Sequence, residues 1–98
     1  MADLDSLIRY RKHELEEKQK FLASLYKLAE ELLRKREEIL DQIEKEKAAL
    51  NSDDLAQMGP LSGFGNFLQA SKNKIDGLQN EEQKLDTRIQ IAINDMRN

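Results

Sequence analysis

The chain has no cysteine and a single histidine, His13. A disulfide framework and a thiolate metal site are therefore excluded, and one imidazole cannot supply a two-histidine zinc motif. Tryptophan is absent, proline occurs once, at Pro60, and glycine four times. Valine is missing, threonine appears only at Thr87, and the isoleucines do not alternate with polar residues, so a sheet is not expected. No apolar run approaches the roughly 18 residues needed to span a bilayer. The opening Met1-Ala2-Asp3-Leu4-Asp5 is acidic and lacks an apolar core, so a secretory leader is not expected. Positive charge is not in excess either: 16 basic against 19 acidic residues leave a net charge of −3. That balance argues against a general nucleic-acid binder, which carries a basic surplus. These absences point to a reducing cytosol, and 98 residues allow one small domain at most.

What is present is helix-forming. Alanine, glutamate, lysine, leucine and arginine together make about half of the chain, the composition of a long helix or coiled coil when it is periodic. The period is there. Steps of four and three residues from Leu4 reach Ile8, Arg11, Leu15, Lys18, Leu22, Leu25, Ala29, Leu32, Arg36, Ile39, Ile43, Glu46 and Leu50. Ten of these fourteen positions are apolar. A second series runs through Leu61, Phe64, Leu68, Ser71, Ile75, Leu78, Glu82, Leu85, Ile89, Ala92 and Met96, with nine of eleven apolar. Such heptads are the seam of a coiled coil.

Turn formers cluster between the two series. Asn51 suits a helix C-cap, and Ser52 suits the cap of a single turn opened by Asp53 and Asp54. Gly59-Pro60 ends that turn, because proline removes a donor and restricts its predecessor. Helix two is expected to start between Pro60 and Gly65, with Ser62 as another start. The expected architecture is a single all-α domain over residues 1–98. Helix one spans about 3–50, the loop about 51–60 and helix two about 61–98, and the two long helices form an antiparallel coiled-coil hairpin. A loop of this length closes at small entropic cost, and a lone helix with a narrow seam is marginal in water. Five acid-first surface pairs are expected to support the helices: Glu14–Lys18, Glu16–Lys20, Glu30–Arg34, Glu31–Lys35 and Asp41–Lys45.

Three departures from an ideal coiled coil stand out. Six seam positions are polar: Arg11, Lys18, Arg36, Glu46, Ser71 and Glu82. They either snorkel or fix the register, or some of them mark a stretch that meets a partner. The lengths are unequal as well. With Leu50 opposite Leu61, Asn98 falls opposite His13. Leu4, Leu7 and Ile8 are then left without a helix, so that a partner, a second copy or a further C-terminal stretch is expected to cover them. Thirdly, Phe21, Tyr26, Leu28 and Leu33 widen the apolar stripe beyond what two helices need. They serve as extra cover, or as a docking face for another protein or for a second hairpin in a four-helix assembly. Tyr10 and Ile91 read as isolated outward residues.

Motifs for chemistry are scarce. Gly59-Pro60-Leu61-Ser62-Gly63-Phe64-Gly65 lacks the Gly-Lys-Ser/Thr ending and the preceding strand of a phosphate loop. Asn51-Ser52-Asp53-Asp54 lacks the spacing of a calcium loop. A thin rod offers no enclosed, water-free pocket, and the serines have no nearby histidine. The chain is expected not to be an enzyme and to carry no cofactor and no metal. Arg9-Tyr10-Arg11-Lys12-His13 is the one basic cluster. It is either a solvated helical surface or a patch that docks an acidic protein; flanking carboxylates oppose nucleic acid.

The stretch Leu4-Asp5-Ser6-Leu7-Ile8-Arg9-Tyr10-Arg11-Lys12-His13-Glu14-Leu15-Glu16-Glu17-Lys18 resembles the opening of the flagellar export protein FliJ family, coiled-coil proteins of the type III secretion apparatus. Helix two, through Phe67, Leu68, Lys72, Ile75, Leu78, Glu82, Leu85 and Ile89, also fits that layout. The resemblance implies a long antiparallel coiled coil similar to the stalk of rotary ATPases. It implies insertion into the hexameric export ATPase ring, stimulation of hydrolysis, contact with the export-gate membrane protein and handling of export chaperones. The location implied is cytoplasmic, peripheral to the inner-membrane export apparatus, and the role lies in flagellum biogenesis, motility and chemotaxis. Arg9, Arg11, Lys12 and His13, with Tyr10 among them, become candidate ring contacts. Phe21, Tyr26 and Leu33 become candidates for a second partner. The family's second helix usually continues further than this chain does, so the chain is either a short member or a shortened piece of one. The rival reading is a structural, self-associating hairpin that acts as spacer or adaptor. A membrane-surface binder is opposed by the near-balanced charge and narrow seam.

Overall fold

A computed structural model of the chain describes residues 2–50 and 63–97. Two helices account for nearly all of them: α1, Ala2–Ala48, and α2, Gly63–Arg97. No strand occurs among the described residues. The expected loop over residues 51–60, with its caps and its Gly59-Pro60 stop, lies outside them. Helix two is described from Gly63 onwards, so the expected starts at Pro60 and Ser62 also lie outside the described residues.

Local chemistry explains both helices. Asp3 and Asp5 sit in the first turn of α1, and Lys45 and Lys47 in its last turn, each sign at the dipole end that favours it. The Ala49 amide donates to the Lys45 carbonyl at 3.1 Å, and the Leu50 amide donates to that of Lys47 at 3.3 Å. The second bond spans three residues rather than four, the tightening common at helix ends. The first turn of α2 has no acid. Apolar contact stands in its place, the rings of Phe64 and Phe67 stacking with centroids 6.3 Å apart.

The molecule divides into two units. The first comprises Met1–Glu30 and Gln83–Asn98. Its core is Leu25, only 1% exposed, with Leu85, Ile89 and Ala92. Lys18, Leu22, Ala29, Ile93 and Met96 are half-buried around it. The Lys18 ammonium lies 3.5 Å from the Asp95 carboxylate and donates to the Asp95 carbonyl at 3.5 Å. Phe21, one turn further along α1, shares a groove with Arg88, two turns back along α2. The two helix segments of this unit therefore run antiparallel.

The second unit is Glu31–Glu82. Leu32, Arg36, Ile39, Ile43 and Leu50 are half-buried on α1, with Ile75, Leu78 and Glu82 on α2, and Ser71 is buried. The Arg36 Nε donates to the Glu82 Oε1 at 3.0 Å, while Leu50 shares a small pocket with Gly63 and Phe67. This pair is antiparallel too. The fold class is all-α, two long helices in an antiparallel coiled-coil hairpin, as the heptads require.

Burial follows the heptad position by position from Lys18 onwards. The exceptions are Glu46 and Leu68, which are exposed, and Glu31, Gly65, Phe67 and Ile93, which are half-buried off the heptad, Gly65 and Phe67 beside Phe64. The polar seam positions divide by behaviour. Arg36 and Glu82 pair with each other, Lys18 reaches across to Asp95, and Ser71 is small enough to be buried. Glu46 stays exposed and accepts from the Gln42 amide at 2.8 Å, and Arg11 is exposed on a stretch of α1 with no helix against it. Arg36 and Glu82 are thus register-fixing groups rather than partner contacts.

The cross-helix contacts of the second unit set its register. Leu50 shares its pocket with Gly63, Phe64 and Phe67, a few residues along α2 from the nominal Leu61, and Arg36 reaches Glu82 from a neighbouring layer. A heptad repeats every seven residues, so apolar spacing alone leaves the register open. Of the surface pairs, Glu14–Lys18 forms at 3.7 Å and Asp41–Lys45 at 3.1 Å. Lys20 turns instead to Glu17 at 3.5 Å, and Arg34 to Glu38 at 3.7 Å. Both alternatives also lie three or four residues away on the helix surface, where pairs are nearly equal in energy.

Candidate interaction surface

The first unit carries a groove of about 700 Å³ between its two helix segments. Tyr10, His13, Glu14, Glu17, Lys18 and Phe21 line it from α1, and Arg88, Ile91, Ala92 and Asp95 from α2. Helix geometry explains the set. In the heptad frame that places Leu22 at a and Leu25 at d, Tyr10 and Glu17 are c positions, and Glu14 and Phe21 are g positions. Ile91 is a c position of α2, and Arg88 and Asp95 are its g positions. In an antiparallel pair the g edges of the two helices meet, so these columns form two walls of one trough. Its charged residues are of both signs, and its floor and rim are aromatic and aliphatic.

Tyr10 and Ile91, 64% and 63% exposed, are therefore not isolated outward residues. They stand on one groove together with Phe21. The missed lining residues, Arg88, Ile91, Ala92 and Asp95, had a signal in the sequence: the c and g columns of two helices read together rather than one residue at a time.

The basic cluster is divided by the turn of the helix. Successive residues point about 100° apart, so Tyr10 and His13 line the groove while Arg9, Arg11 and Lys12 are exposed away from it. Of the wider stripe, Phe21 lines this groove. Tyr26, in the first unit, and Leu33, in the second, are exposed e-position residues outside it. The eight candidates are thus not brought into one site.

The second unit has its own groove, of about 510 Å³, lined by Lys35, Glu38, Ile39, Gln42, Lys74, Gly77, Leu78 and Glu81. Its lining has no aromatic ring. Gly77 leaves a gap in its wall, with nothing within 4 Å of where a Cβ would sit.

Among the described residues no group of three or more histidine, aspartate or glutamate side chains is arranged to hold a metal ion. No described helix is long and apolar enough to cross a membrane. What the surface offers is shape, exposed apolar side chains and charges of both signs, the means of protein recognition. Comparison with known protein families, with curated proteins and with solved structures finds no match to this chain.

Proposed function

We propose that the protein is a soluble coiled-coil component of the flagellar type III export apparatus, a stalk or escort. It binds and stimulates the export ATPase ring, contacts the export gate and handles export chaperones, working in the cytoplasm at the inner membrane. The observation that supports this reading is the display of the stretch Leu4–Lys18, which carries the family resemblance. Its residues from Asp3 to Glu17 are all exposed, so the side chains that resemble the family's opening are free to meet a ring. A long antiparallel hairpin is also the fold that the resemblance implies.

The test is ATP hydrolysis by the cognate export ATPase with and without the purified protein. The expected result is a higher rate, lost when Arg9, Arg11 and Lys12 are all changed to Glu. No rise with the unaltered chain overturns the reading; a rise that survives the triple change removes those three residues from it.

A second reading is favoured by exposed apolar side chains that flank the seam of α1, Phe21 and Leu28 at g positions and Tyr26 and Leu33 at e positions. In it the hairpin is a spacer or adaptor that joins a second hairpin side by side in a four-helix assembly. It requires a dimer that persists at high ionic strength and weakens when Phe21 is changed to Glu.

A further inference from the structure

The a and d positions of residues 3–15 of α1 continue the seam, and among the described residues no helix packs on them. Leu4, Leu7, Ile8 and Leu15 are all exposed, Ile8 by 57%. The heptad that puts Lys18 at d, Leu22 at a and Leu25 at d runs back without a break through Leu15 (a), Arg11 (d), Ile8 (a) and Leu4 (d). We propose that a second copy of this chain covers the face. The two N-terminal segments then pair antiparallel, end to end, about a two-fold axis at the level of Arg9 and Tyr10.

The charges select this occupant. In an antiparallel coiled coil, a positions layer against d positions. Leu4 then meets Leu15 of the second copy, and Ile8 meets Arg11, whose methylene stem covers it. The e positions face each other beside this seam. They are Asp5 and Lys12, so each Asp5 meets Lys12 of the second copy, and the two-fold axis makes the ion pair twice. A parallel, in-register pair would instead stack Arg11 on Arg11 within the seam, two like charges at close range. The antiparallel pair sets the two Arg11 side chains in neighbouring layers rather than in one, and adds the two ion pairs. The segment is short, about 20 Å of helix, so the interface belongs to the weak class, with a dissociation constant on the order of micromolar. The contact surface differs from the sideways one of the spacer reading; it takes up Arg11 and Lys12, so the dimer and a ring-bound chain are alternative states.

Sedimentation velocity on the full chain, from about 1 to 500 µM, brackets that range. A monomer in reversible exchange with a dimer is expected. Ile8→Asp should abolish the dimer and leave the helical circular dichroism unchanged, because Ile8 is exposed in the single chain. Asp5→Lys and Lys12→Asp should each weaken association about tenfold, and the two together should restore it. Nitroxides give the direction: labels on Arg9→Cys should lie close together across the dimer, and labels on Lys20→Cys about 30 Å further apart. A monomer at every concentration overturns the proposal. So does a dimer indifferent to Ile8→Asp, a double charge swap without recovery, or equal label distances at the two positions.

Discussion

Residues 3–15 of α1 and the stretch that starts at Lys18 are written in the same pattern and treated differently by the fold. Leu4, Ile8 and Leu15 hold the same heptad positions as Leu25, Leu22 and Ala29, yet the first three are exposed and the last three buried or half-buried. The difference lies wholly in the opposing helix: α2 supplies Leu85, Ile89 and Ala92 against Leu25, and nothing of the kind against Ile8. A heptad therefore specifies a face, and the partner decides whether that face becomes a core. Apolar residues in the first stretch are a binding resource; in the second they carry stability.

That contrast has measurable consequences. Leu25→Ala removes the most buried side chain and should lower the unfolding free energy by about 3 kcal/mol, through lost transfer energy and the cavity left behind. Urea unfolding followed by circular dichroism measures it; a loss under about 1 kcal/mol would mean that the core has been misplaced. Arg36→Ala strands the half-buried Glu82 carboxylate and should cost about 1–2 kcal/mol. Replacing both partners with leucine should recover most of that loss, while cross-linking between cysteines placed on α1 and α2 should show more than one register, since the charge pair no longer selects one. Gly77→Ala should act in the opposite direction, raising stability by about 0.5–1 kcal/mol, because a methyl group there meets open space and the helix interior favours alanine. Ile8→Ala, measured at a concentration too low for any self-association, should change stability by less than about 0.5 kcal/mol. A larger loss would mean that the first stretch is not free.

Much of this was legible in the residues. The heptad steps alone identified the buried set from Lys18 to Ile43 and from Ser71 to Met96, because the side-chain period of a helix and the seam of a coiled coil are the same fact seen twice. The exposed stretch was legible from unequal helix lengths. The register was not, since a pattern of period seven matches itself after a slide of seven; the meetings of Arg36 with Glu82 and of Lys18 with Asp95 break that symmetry. The start of α2 was uncertain because Ser62, Gly63 and Gly65 compete as boundary signals and no acid follows them in its first turn. The groove around Tyr10, Phe21 and Ile91 escaped a residue-by-residue reading because it belongs to two helix edges, and neither edge is continuous in apolar residues. Choosing which acid each surface base would take also lay beyond the pattern, as Lys20 and Arg34 show.

The exposure of residues 3–15 bears on how the chain would be clipped. A protease needs its substrate extended, so a helix must melt locally before it can be cut. Melting this stretch breaks no buried contact, whereas melting around Leu25 opens the core of its unit. Arg9, Arg11 and Lys12 are the bonds at which trypsin will enter first, and a brief digestion will shear off the leading turns while the zipped remainder survives.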